Sequence, residues 1–175
     1  MALEAVFQAH FRRRIALIRS ATPADAEGIL GVIEPVFRAG ESYTVPRDIS
    51  REDALAYWLA DGHEVFVFEE ASQILGTYFL QANQRGGGAH VGNCGYITAE
   101  HAMGRGIARA MCEHSLTLAK ARGFTAMQFN FVVSTNERAV QLWQRLGFAV
   151  VGRLPEAFRH PRLGYVDALV MFREL

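Results

Sequence analysis

At 175 residues, half of them hydrophobic and 21% charged, the chain has the length and balance of one folded domain with a substantial core, which excludes disorder of the whole. Eighteen basic against eighteen acidic residues give zero formal net charge, which argues against nucleic-acid binding through bulk charge and leaves only a local basic patch open. Two cysteines, Cys94 and Cys112, make no disulfide scaffold, and no apolar run approaches the ~20 residues of a membrane-spanning helix.

Residues 1–14, MALEAVFQAHFRRR, lack a continuous apolar core and a small-residue cleavage site. They read as an extension ahead of a single domain over 15–175, with a cytoplasmic address expected. A first strand, Ile15 to Arg19, leads to Thr22-Pro23-Ala24-Asp25, a helix start with Thr22 as N-cap and Asp25 three residues on. Ala26, Ile29, Leu30, Ile33 and Phe37 then recur at helical spacing, and Pro35 is expected to kink or end that helix near Glu34. The polar stretch Ala39–Ile49 connects to a second helix begun by Ser50.

Val65–Glu69 and Ile74–Gln81 read as strands joined by a short turn. Arg85–Gly88 forms another turn before a strand from His90 to Thr98. A long helix follows from Arg105 to Arg122, closed by Gly123, and then a strand over Ala126–Val132. Ser134 and Glu137 look like a capping box for a helix carrying Ala139, Leu142, Trp143 and Leu146 on one face, ended by Gly147. Two strands, Phe148–Gly152 and Tyr165–Phe172, finish the chain. The order β-α-α-β-β-β-α-β-α-β-β is that of an α/β domain with a mixed sheet.

The segment with the most chemistry is Met103-Gly104-Arg105-Gly106-Ile107-Ala108, set between a strand and the longest helix. Two glycines there permit a tight turn, and the unpaired amides of a helix's first turn form an anion site suited to phosphate. The dinucleotide fingerprint fails because Arg109 occupies its third small position, and the P-loop fails because no Lys-Ser/Thr pair follows Gly106. On this hexapeptide alone a purely structural turn stays open.

Further on, Ser134-Thr-Asn136-Glu-Arg-Ala139-Val-Gln-Leu142-Trp143-Gln-Arg-Leu-Gly147-Phe148 resembles the Asn-x-x-Ala-x-x-Leu-Tyr-x-x-x-Gly-Phe signature of the GNAT acetyltransferases. The Gly104 segment resembles their pyrophosphate motif, [Gln/Arg]-x-x-Gly-x-[Gly/Ala], with Gly106 and Ala108 on the small positions. The resemblance spans 15–175 and implies a mixed sheet whose fourth and fifth strands splay apart, flanked by helices on both faces, with pantetheine in the opening. It also implies acetyl-CoA as cosubstrate, held by Ile97, Thr98, Met103, Gly104, Arg105, Gly106, Ile107, Ala108 and Asn136. Two departures stand out. Met103 replaces the favoured Gln or Arg. Trp143 replaces a Tyr credited with protonating the CoA thiolate, and an indole donates a hydrogen bond without acting as an acid.

Transfer of this kind requires an amine that has lost its proton, an amide for the tetrahedral oxyanion, and a thiolate of pKa near ~8.5 that departs with little help. The resemblance places the oxyanion amide on the strand carrying Gly95–Thr98. No nucleophile is needed, so Cys94 and Cys112 read as core thiols, and no metal is expected since ligand spacings are missing. Asn130 is an amide in mid-strand that must find hydrogen bonds. Phe129-Asn130-Phe131-Val132-Val133-Ser134-Thr135-Asn136 with Leu142-Trp143, together with Arg153-x-Pro155 and Pro161–Asp167, resembles fungal acetyltransferases that detoxify proline analogues such as azetidine-2-carboxylate. That likeness implies an acceptor-holding role for Asn130.

The acceptor pocket is expected between the Gly40–Pro46 connection and a Leu154–Tyr165 loop, with Glu41, Tyr43, His160 and Tyr165 as candidates to touch substrate and Asn130 and Trp143 as candidates for catalysis. The function expected is acetylation of a small amine, an amino acid or its analogue. The alternatives are a peptide or protein N-acetyltransferase and a silent acyl-CoA-binding module. The apolar last strand suggests a homodimer.

Overall fold

The computed structural model describes residues 16–175; the 1–14 extension and Ile15 lie outside them. In chain order come β1 (Ala16–Ser20), α1 (Ala26–Ala39), α2 (Arg51–Trp58), β2 (Glu64–Glu70), β3 (Gln73–Ala82), β4 (Val91–Thr98), α3 (Ile107–Ala121), β5 (Ala126–Val133), α4 (Glu137–Arg145), β6 (Ala149–His160) and β7 (Gly164–Glu174). The strands form one mixed sheet in the order β1-β2-β3-β4-β5-β7-β6, with β4 and β5 parallel and the remaining neighbours antiparallel. Successive side chains on a strand face opposite ways, and β3 shows what covers each side. Thr77 accepts a hydrogen bond from the Trp58 indole of α2 at 3.0 Å, while the Tyr78 hydroxyl meets His114 Nδ1 of α3 at 2.6 Å.

α1 begins through the residues expected. The Asp25 carboxylate accepts from the Thr22 amide at 2.7 Å and its hydroxyl at 2.8 Å, and the Arg19 guanidinium grips both its oxygens. That cation holds the buried Asp25 carboxyl well below the usual carboxylate range. Of the two outcomes expected at Pro35, a kink or an end, the helix does not end near Glu34. It passes through Pro35 and runs to Ala39, closing at Gly40 with φ 66°. Pro35 and Gly31, whose carbonyl loses its donor, both lie on the exposed face, so water can serve that carbonyl. Ile29, Ile33 and Phe37 stay fully buried opposite.

The expected splay is present. β4 registers with β5 only at Val91–Ala126 and Gly92–Met127. At its root Thr125 N donates to His90 O and Leu175 N donates to Thr125 O, each at 2.9 Å. The Asn93 side chain spans the first widening step to Gln128 O at 2.8 Å. β5 then carries a bulge against β7 between Phe129 and Val132, which breaks the two-residue alternation of a regular strand around Asn130.

The C-terminal third differs most from expectation. The strand predicted over Phe148–Gly152 continues to His160, and the Leu154–Tyr165 loop is instead a hairpin with β7. Pro155 is tolerated because β6 is the sheet edge and because the register shifts between Leu154 and Phe158. Asp167 holds this bulge, pairing with Arg153 and accepting from the Glu156 amide at 2.9 Å. β7 sits inside the sheet, and its Ala168 and Met171 are fully buried. The other apolar residues of the run behind the homodimer expectation, Val166, Leu169, Val170 and Phe172, are half-buried, so the core takes only part of it.

Candidate active site

Gly104 and Gly106 adopt φ 79° and 80°, a left-handed backbone that favours glycine. A Cβ on either would meet nothing within 4 Å, so the turn presents bare backbone to open space. No side chain caps α3 at Gly106, which leaves its first-turn amides for an anion. The turn forms one end of a cleft of about 930 Å³. Of the residues assigned to the cofactor, Ile97, Thr98, Met103, Gly104, Gly106, Ile107, Ala108 and Asn136 all line this cleft. Arg105 does not: its guanidinium turns to both carboxylate oxygens of Glu70, at 2.9 and 2.7 Å.

The hydrogen-bond parity of β4 explains what the splay offers. Asn83 N donates to Val91 O and Ala99 N to Leu75 O, so odd-numbered residues of β4 face β3. The N–H and C=O groups of Cys94, Tyr96 and Thr98 therefore point towards the departed β5. The Thr98 hydroxyl is buried and is the one such side-chain atom without a partner among the described residues. A backbone edge, an orphaned hydroxyl and uncapped helix amides along one cleft fit a pantetheine-pyrophosphate chain. Arg109, Arg138 and Arg145 also line it, and among the described residues no carboxylate does. The sequence reading missed these arginines; Arg109 had registered only as a misfit in the dinucleotide fingerprint.

Trp143 lines the cleft and is buried, with its ring centroid 5.1 Å from Tyr96 and 5.2 Å from Phe129. α4 is capped by Asn136, whose Oδ1 accepts from Ala139 N at 3.3 Å, in place of the expected Ser134–Glu137 box. Asn130 lines the cleft at the β5 bulge. Its Nδ2 donates to Asn83 Oδ1 at 2.6 Å and its Oδ1 accepts from Gln128 Nε2 at 2.7 Å. An amide has two N–H groups and two lone pairs, so each end keeps one place for a ligand. Cys94 and Cys112 are free and buried, and burial pushes both thiols up to about 12, which accords with core thiols.

The four acceptor candidates separate. Tyr43 lines the cleft and donates its hydroxyl to Tyr96 O at 3.1 Å. Glu41 pairs with Arg162 of the β6–β7 turn at 2.6 Å and does not line the cleft. His160 is buried, and its Nδ1 accepts from the Arg162 and Leu163 amides at 3.2 and 3.3 Å; it serves the turn. Tyr165 is 66% exposed and also lies outside the lining. Both residues were placed near the substrate because a loop was expected where the hairpin runs. Ser42, Thr44, Tyr57, Phe79 and Asn93, not singled out from the sequence, also line the cleft.

The comparisons follow this geometry. The model of the acetyltransferase (GNAT) family matches residues 34–148, from the second half of α1 to the end of the α4 segment. A GCN5-related N-acetyltransferase from Kribbella flavida is 40% identical, with a TM-score of 0.87, over 91% of this chain and 98% of that one. Two more distant structures share the fold. A phosphinothricin acetyltransferase from Sinorhizobium meliloti, in complex with AcCoA, has TM-score 0.79 at 19% identity over 91% and 88% of the two chains. A ribosomal-protein-alanine N-acetyltransferase from Brucella melitensis has 0.76 at 23% over 91% and 99%. Among curated relatives, N-acetyltransferase aca1 of Schizosaccharomyces pombe is 32% identical over 100 residues, 57% of this chain and 48% of the relative. Protein SPT10 of Saccharomyces cerevisiae is 31% identical over 85 residues, 49% of this chain and 13% of the relative. The matches thus span at most about half of these relatives' lengths. With the splay, the glycine turn and α4 all inside the matched segment, and a 40%-identical N-acetyltransferase superposing over nearly its full length, this chain belongs to the GNAT acetyltransferase family.

Proposed function

We propose that the protein acetylates the amine of a small molecule, an amino acid or amino-acid analogue, by direct transfer from acetyl-CoA. The observation that carries this reading is the composition of the cleft: amides (Asn93, Asn130), short hydroxyls (Ser42, Thr44), aromatic rings and three arginines, with no carboxylate among the described residues that line it. Such a surface suits a compact acceptor with one amine and a polar partner group, and offers nothing to a strongly cationic peptide. The fold alone does not choose, since neighbours named for phosphinothricin and for a ribosomal protein's alanine share it.

Acetyl-CoA, when bound, supplies an activated acyl carbon. The chain's own contribution is positional. The uncapped α3 amides and the Thr98 hydroxyl hold the donor, and the β4 edge at Tyr96 turns an N–H towards the site of the oxyanion. Trp143 packs beside that edge and can donate through its indole without supplying a proton. Glu41 is engaged by Arg162, so water is the proton acceptor most consistent with the lining. Asn130 orients the acceptor through its remaining N–H and lone pair, which retains the likeness to proline-analogue acetyltransferases as part of the proposal. The proposal extends to a homodimer joined through the exposed apolar tip of the β6–β7 hairpin, Leu163 and Tyr165.

Thiol release from acetyl-CoA, followed with proline analogues, primary amino acids, polyamines and short peptides, tests the reading. Turnover confined to the small amino-acid-like acceptors is the expected result. Turnover with peptides alone moves the protein to the N-terminal acetyltransferases, and binding without turnover on any amine makes it a silent acyl-CoA module.

A further inference from the structure

The opening between β4 and β5 is closed at its acyl end by aromatic rings on both sides of the sheet. On the α3 side, Tyr96, Phe129 and Trp143 lie centroid to centroid at 5.1–5.8 Å. On the α1–α2 side, Phe79 and Tyr43 close over Gly95. A Cβ placed on Gly95 would lie 2.6 Å from Phe79 Cε1 and 3.1 Å from the Tyr43 hydroxyl. There is no room for even one methyl group on that strand position.

Tyr43 reaches this spot from the α1–α2 connection. Its hydroxyl donates to Tyr96 O, one of the carbonyls that face the parting strands, so the phenol stands inside the splay. It is held there from behind by Phe37 and Trp58, with centroids 5.4 and 5.9 Å from its own. Phe37 and Trp58 are fully buried. Tyr57 packs edge-on against Phe37 at 5.8 Å, and Phe79 packs edge-on against Trp58 at 5.1 Å. A close-packed aromatic cluster of this kind cannot move one ring aside without opening a void. Cys94, beside Gly95 on β4, is also buried. The wall therefore holds no charge and takes no proton at working pH.

We infer that Tyr43 sets the length of the acyl group the enzyme accepts, its ring acting as the end wall that admits an acetyl group and excludes propionyl and longer chains. The inference rests on the proposed acetyl-CoA reading and deepens it. The thioester carbon has to sit against the Tyr96 edge to meet an acceptor, and its alkyl substituent then projects towards one of the two aromatic walls. Each methylene forced against a packed wall in a binding pocket changes affinity on the order of tenfold.

Binding measured by calorimetry, without any acceptor amine, tests the inference for CoA, acetyl-CoA, propionyl-CoA and butyryl-CoA. The wild type is expected to bind CoA and acetyl-CoA alike, and butyryl-CoA at least about tenfold more weakly. Tyr43→Ala is expected to bring butyryl-CoA to within about threefold of acetyl-CoA, with CoA itself unchanged. Tyr43→Phe, which keeps the ring and loses only the hydroxyl, is expected to keep the wild-type ranking. Tyr43→Leu, which preserves apolar contact with Phe37 and Trp58, replaces the alanine variant should that one not fold. Equal wild-type affinity for acetyl- and butyryl-CoA overturns the inference. So does unchanged discrimination after Tyr43→Ala or Tyr43→Leu, or lost discrimination in Tyr43→Phe. Failure of CoA itself to bind strikes instead at the acetyl-CoA reading beneath it.

Discussion

Asn130 combines two properties at the level of single residues. Its amide is held by Asn83 and Gln128, so its position is fixed, and it still has an unused donor and acceptor at the cleft. Replacing it with Ala is expected to lower acceptor turnover roughly 10- to 100-fold, the cost of one well-placed hydrogen bond near a reacting centre, while CoA affinity changes little. Asn130→Asp adds a charge at the same shape, so it should penalise amino-acid acceptors, whose carboxylates it repels, more than plain amines. Steady-state kinetics with both acceptor types checks this; wild-type rates throughout make Asn130 a structural amide. The thiols give a second expectation. With burial pushing both up to about 12, the thiols stay protonated at pH 8. Iodoacetamide at that pH should leave the native protein unmodified by mass spectrometry, and both cysteines should react once it is denatured. A residue such as Asn130 was legible from the sequence because a polar amide interrupts an apolar strand. Tyr43 was legible only as one polar residue among several in a connection, because its burial comes from rings of α1, α2 and β3 far along the chain.

Among elements, the glycine turn and α3 work as a unit. Gly106→Pro removes φ freedom at a position held at φ 80°, where proline's ring cannot go. Acetyl-CoA should then no longer raise the melting temperature, while at saturating excess it does so for the wild type by mass action. A variant that keeps the shift would move the pyrophosphate away from this turn. The turn, α3 and α4 were readable because glycine placement and apolar spacing are local signals. Long-range pairing decided the elements that were misread. Pro35 was expected to kink or end its helix, and Pro155 fell inside the expected Leu154–Tyr165 loop. One falls on a solvent-facing stretch of α1 and the other on a bulged edge strand, and in each place the missing N–H costs little. Reading Leu154–Tyr165 as a loop carried His160 and Tyr165 into the substrate pocket, where the hairpin does not put them.

For the whole molecule, the longer of the sheet's two edge strands among the described residues is β6. Pro155, two register shifts and Arg153 blunt it against strand-to-strand association. The proposed homodimer therefore depends on side chains at the hairpin tip. Light scattering at micromolar concentration is expected to give about twice the 19.4 kDa of the chain. Leu163→Asp, at a 62% exposed site, is expected to return a single chain's mass, and a wild type that already scatters as one chain removes the homodimer. The root of the splay has a different reach. β4 and β5 diverge like the tines of a fork, and the crotch is bound by His90, Thr125 and Leu175, residues from three separate stretches of the chain. Anything that loosens the final residues of β7 therefore changes the angle between the tines at their far ends. Residues with no ligand contact can in this way govern how tightly the tines grip a guest.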